Sequence, residues 1–135
     1  MQVQNYLFFA GRCEEALAFY HDVLGAQTGY LMRFSDAPEG QQGEAEWHDK
    51  VMHANVTIGQ TQLMASDGMP GQPVAMSGFS LSLSPDTVDE GRRLFTALSR
   101  GGEIQMPFGP TFWAQGFGML RDQFGVPWMV NVERG

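Results

Sequence analysis

Side chains able to do chemistry are few in this chain of 135 residues, with one cysteine and three histidines. His53 falls in a strand-like run with Asn55 and Thr57 on the same side. Its imidazole suits a general base, a ligand contact or a hydrogen-bonded structural role. Asp67 stands at a strand end before Gly68, where a carboxylate can act as a base, bind a cation or organise an Asx turn. These two are the candidate catalytic residues. Cys13 lies near a helix start, where a thiol can be activated, but no histidine neighbours it in sequence and an inert role is simpler. His21, late in the same helix, places favourable charge near its C-terminus. Glu44, Glu46 and His48 alternate and would share a face if extended, yet the segment reads as a solvated acidic loop.

A second group is aromatic. Trp113, Phe117, Met119 and Arg121 occupy alternate positions of one strand, and Trp128 lies on the next. With His53 they describe an apolar cleft with few polar groups, the usual anatomy of a small-molecule site, and are the candidate ligand-binding residues. Any one of them can equally be core filler. Arg121 either meets an anionic ligand or pairs internally with Asp122 or another carboxylate; the internal pair is the simpler expectation.

The elements that must position these residues are legible from periodicity and punctuation. A strand over Val3–Ala10 leads through Gly11, a possible cap, into an amphipathic helix with Ala16, Phe19, Tyr20 and Val23 on one stripe. Gly25 stops that helix. Strands follow over Gln27–Phe34, Val51–Ile58 and Thr61–Ser66, the last two joined at Gly59-Gln60, with a polar loop over Ser35–Lys50. The order then repeats: strand Phe79–Leu83, a helix capped by Ser84-Pro85 and stopped by Gly101-Gly102, then strands Glu103–Met106, Ala114–Arg121 and Val126–Val132. Phe19 and Gly25 recur 76 residues on as Phe95 and Gly101, and Gly59 and Leu63 recur 66 on as Gly125 and Met129. The pattern predicts two copies of one strand–helix–strand–strand–strand unit, residues 1–67 and 78–135, joined by a linker over 68–77, within one domain. A single such unit cannot cover its own bent sheet, so a cleft between two is the natural pocket.

Composition narrows the function. The net charge is −7, and only Arg92-Arg93 forms a basic pair, which argues against nucleic acid as a partner. Acidity suits solubility or a cationic ligand equally. No apolar run is long enough to span a membrane, no signal-peptide pattern opens the chain, and one thiol cannot make an internal disulfide, so a cytoplasmic location is expected.

Three words of the sequence carry a family resemblance: NYLFFAGRCEEALAFYHDVLGA, MHANVTIGQTQLMASDGMP and TFWAQGFGMLRDQFGVPWMVNV. They resemble the PhnB-like (YjdN-like) branch of the vicinal oxygen chelate superfamily, which includes glyoxalases, bleomycin-resistance proteins and dioxygenases. The resemblance implies an α+β fold, two βαβββ modules forming curved mixed sheets around a cleft. It also implies a homodimer, with modules paired within a chain or exchanged between chains. Superfamily enzymes hold a divalent metal with His and Glu side chains, but the corresponding positions here are Asn5, Leu63, Phe79 and Met129, none a credible ligand. A register slip to Tyr6, Met64, Ser80 and Val130 is no better. A metal and a cofactor are therefore not expected. Methyl transfer, sometimes attributed to this branch, finds no glycine-rich nucleotide turn here. Two readings stand: a protein that binds a small, partly apolar or aromatic molecule without transforming it, or a lyase, isomerase or dioxygenase of glyoxalase type working through an unorthodox metal site or acid–base groups.

Overall fold

The computed structural model describes residues 1–135 and divides into two compact units, Met1–Val74 and Ala75–Gly135. No helix is long and apolar enough to cross a membrane.

In the first unit the order is β1 (Tyr6–Phe8), α1 (Cys13–Leu24), β2 (Gln27–Arg33), β3 (Val51–Ile58) and β4 (Thr61–Ser66). The sheet runs β1-β4-β3-β2, with β1 parallel to β4 and the other pairs antiparallel. The second unit repeats this with β5 (Leu81–Leu83), α2 (Val88–Ser99), β6 (Glu103–Gly109), β7 (Ala114–Arg121) and β8 (Pro127–Glu133), in the order β5-β8-β7-β6. The expected α+β architecture, two βαβββ modules with mixed sheets, is what the chain forms.

Each helix covers one face of its sheet. Cys13, Ala16, Leu17, Tyr20 and Val23 of α1 are buried, and Leu7, Phe9, Ala54, Val56, Leu63 and Ala65 are buried from the sheet side. Leu17 takes the place expected for Phe19, which stays half-buried. Gly25 ends α1 in the left-handed conformation (φ 69°), its N–H donating to the His21 carbonyl.

In the second unit α2, β6 and the sheet beneath them pack so closely that glycine alone fits at three positions. A Cβ on Gly118 would fall 2.6 Å from Phe95 Cε2, one on Gly116 2.4 Å from Phe108 Cζ, and one on Gly91 2.8 Å from Val132 Cγ2. Gly116, Gly118 and Val132 therefore mark the helix-side face. Trp128 and Val130 share it, because β8 alternates and Gly118 stands opposite Val130, Leu120 opposite Trp128.

Several sequence expectations shift. The first and fifth strands are shorter than their apolar runs, because pairing with β4 and β8 extends over three residues only. The α2 cap is Thr87, whose hydroxyl accepts from the Glu90 N–H, rather than Ser84-Pro85. The sixth strand continues to Gly109 through two register shifts. Phe34, expected to end the second strand, opens a 3₁₀ turn over Phe34–Asp36, and Ala45–Trp47 forms another within the expected loop.

Candidate functional site

The face of the first sheet turned away from α1 carries the first group of candidates. His53 on β3 stands beside Tyr6 on β1, with Tyr6 Oη 2.8 Å from His53 Nδ1. His53 Nε2 lies 3.1 Å from Asn55 Oδ1. A carboxamide oxygen only accepts, so Nε2 carries the ring proton, Nδ1 is left as the acceptor, and the Tyr6 hydroxyl donates to it. Burial raises the Tyr6 phenol above its ordinary value, in keeping with a hydroxyl that donates. Around this Tyr6–His53–Asn55 chain stand Phe8, stacked on Tyr6 at 4.9 Å between ring centroids, and Tyr30, 6.4 Å from the imidazole. Phe8 is 43% and Tyr30 54% exposed, unusual for large aromatics on a sheet. Sequence reasoning found His53 and Asn55 but missed Tyr6, because nothing local says that β1 lies within side-chain reach of β3.

Of the tasks its sequence position allowed, Asp67 takes a structural one, with long-range partners in place of a local Asx turn. It is buried, and three backbone donors converge on it: Gly11 N–H at 2.7 Å and Cys13 N–H at 2.8 Å on Oδ1, and Val51 N–H at 2.8 Å on Oδ2. It thereby caps α1 from 54 residues away and ties the β1–α1 turn to the start of β3. A carboxylate so filled serves as a structural acceptor rather than as the base expected among the catalytic candidates.

Cys13 is fully buried, and its thiol is pushed far above the ordinary range, by desolvation first and then by the charges of Asp67 and Glu14. A buried thiol kept in its protonated form is a poor nucleophile. His21 is exposed, its Nδ1 2.9 Å from the Ala26 carbonyl at the helix end. Glu44, Glu46 and His48 do not share an extended face, since the backbone turns through a 3₁₀ helix there and His48 Nε2 lies 3.1 Å from the Gly43 carbonyl.

In the second unit, Phe117, Met119 and Arg121 of β7 share the face away from α2, opposite Asn131, Met129 and Pro127 of β8. Trp113, 47% exposed, meets Phe117 edge-on at 5.3 Å, and Phe112 packs against Trp113. Trp128 does not join them. It is 2% exposed on the helix side of the sheet, its indole N–H donating to Asp122 Oδ2 at 2.9 Å. Trp128 therefore lies in the core and not with the ligand-binding candidates, because the pairing of β8 with β7 sets it opposite Leu120.

Asp122 also accepts from Phe124 and Val126 N–H, so like Asp67 it is a buried carboxylate organising a turn. Arg121 does not pair with it. The Arg121 guanidinium donates from Nη1 to the Met76 and Gly125 carbonyls at 2.6 and 2.7 Å. The expected internal carboxylate pair is absent. Asn131 Oδ1, on the same face, is buried without a hydrogen-bond partner.

No three His, Cys, Asp or Glu side chains come together as a metal site. A divalent ion of the superfamily type does not fit these residues. Two surface grooves, one of about 300 Å³ along residues 2–5 and 60–63 and one of about 530 Å³ on the outer face of α2, contain none of the candidates.

Duplicated βαβββ units, each with one helix-packed and one aromatic-bearing sheet face, define a class that comparison identifies. The chain belongs to the glyoxalase/bleomycin resistance protein/dioxygenase superfamily, whose family model matches residues 2–130. Within that class it is similar to Protein YjdN of Escherichia coli, 43% identical over 98% of this chain and 95% of that protein. It also resembles the crystal structure of protein PA1353 from Pseudomonas aeruginosa, 48% identical with a TM-score of 0.88 over 100% of this chain and 99% of that one. A Bacillus cereus PhnB protein, described as a 3-demethylubiquinone-9 3-methyltransferase, is 26% identical with a TM-score of 0.82 over 98% and 99%.

Proposed function

We propose that this PhnB- and YjdN-like protein binds a small, partly apolar or aromatic molecule on the sheet faces left open by its helices, without the superfamily metal. The observation that carries the reading is the company His53 keeps. Phe8 and Tyr30 are exposed beside it, and Tyr6 and Asn55 hold it in one tautomer. An apolar surface with a few oriented polar groups is what a selective small-molecule site requires. The experiment is a thermal-shift screen of small aromatic metabolites, repeated on Tyr6→Phe and His53→Ala. A stabilising compound whose effect is lost in both variants supports the reading. Compounds that stabilise all three proteins equally refute it.

The hydrogen-bond chain itself favours a second reading, acid–base catalysis of lyase or isomerase type. His53 can accept the Tyr6 proton and Asn55 orients the ring, the arrangement a nucleophile–base–orienter set uses. Turnover of a bound compound that His53→Ala abolishes without loss of binding selects this second reading over simple capture. The methyl transfer associated with the Bacillus cereus relative gains no support from these residues, which include no glycine-rich turn to cradle a nucleotide.

A further inference from the structure

We infer that Arg121 is the anchor for the anionic end of the ligand, and that the molecule taken up on the second sheet is an organic carboxylate with an apolar or aromatic body. The inference rests on the reading of the open sheet faces as ligand-binding and names the ligand's charge.

In a chain with 15 acidic and 8 basic residues, a half-buried cation has carboxylates in excess to choose from. Three cations are half-buried. Arg33 is paired with Glu14 at 2.7 Å. Lys50 bonds the Gly11 carbonyl and lies over the Trp47 ring, 5.9 Å from its centroid. Arg121 has neither a carboxylate nor an aromatic face. Its hydrogen bonds are the two from Nη1 to the Met76 and Gly125 carbonyls, so Nε and Nη2 have no acceptor in the chain. Partly desolvated charge left without a counter-charge is costly, so a ligand that supplies one is favoured there.

The two carbonyl bonds also hold the guanidinium in place, so its remaining donors are presented with little rotamer entropy left to lose. Those donors match a carboxylate, which a planar guanidinium binds better than a point charge does. Along the same strand the face continues through Met119 to Phe117, with Trp113 edge-on beyond, so a charged end at Arg121 leaves the body of the molecule against soft apolar and aromatic groups.

The test compares 3-phenylpropanoate with 3-phenyl-1-propanol, which differ in the carboxylate alone, by NMR titration of the whole protein. We expect the carboxylate to bind at least about tenfold tighter, from one charge-assisted contact, and to shift the Arg121 Nε–H resonance together with the Trp113 indole. Arg121→Gln should bring the two probes to within about twofold, and Arg121→Lys should restore only part of the preference. If Arg121→Gln fails to fold through loss of the Met76 and Gly125 bonds, the wild-type titrations still decide. Equal affinity for the two probes, or a carboxylate that moves Trp113 and leaves Arg121 Nε–H unmoved, overturns the anionic assignment alone. Failure of both probes to perturb Phe117 and Trp113 overturns the ligand-face reading and this inference with it.

Discussion

Asp67→Asn separates a structural carboxylate from a catalytic one. The substitution keeps the size of the side chain but replaces one acceptor oxygen with a donor. If the amide oxygen stays with Gly11 and Cys13, its NH₂ confronts the Val51 N–H; if it turns to Val51, the NH₂ confronts the other two. Either way at least one buried backbone donor is orphaned, at about 1–3 kcal/mol, and the bonds that remain lose the reinforcement of the charge, worth up to about 1.5 kcal/mol each. The total is about 3–5 kcal/mol, a large part of the roughly 5–15 kcal/mol by which a domain is stable. Urea unfolding followed by tryptophan fluorescence should show the midpoint fall with the slope unchanged, and the melting temperature should drop by roughly 10 °C or more. A variant within about 1 kcal/mol of the parent would refute the capping argument and return Asp67 to the catalytic candidates.

Cys13 should resist thiol reagents in the native protein and react on unfolding. Because its folded-state value is raised, the unfolded thiol ionises first, so stability present below about pH 8.5 is lost as pH rises above it. Cys13→Ala should flatten that alkaline decline in denaturant titrations run from pH 7 to 10. Gly118→Ala should cost about 1–3 kcal/mol, because its methyl would meet Phe95 and the Phe108 backbone; an unchanged melting temperature would show that α2 can lift away. EDTA should leave the melting temperature unmoved, checked together with elemental analysis of protein purified without chelator, where one equivalent of zinc, nickel or iron would overturn the expectation. Light scattering at micromolar concentration should give the mass of a homodimer, and a monomeric mass would rule that out.

The sequence by itself determined what depends on neighbours along the chain. Period-3.6 stripes, period-2 runs and the glycines at 25, 59, 101 and 125 marked the repeated unit and the hairpin turns, and β3, β4 and β7 fall at their expected boundaries. Alternation within β7 put Phe117, Met119 and Arg121 on one face, because parity along one strand is a local property. Parity between strands is not. Trp128 entered the core because Leu120 stands opposite it, a register set by the tertiary pairing of β7 with β8. The same limit hid Tyr6, 47 residues from the His53 it bonds, and concealed that Asp67 caps a helix beginning 54 residues earlier. Hydrogen-bond partners of buried groups are chosen in three dimensions, so the chain can announce which residues are reactive but only the fold decides which are already spoken for.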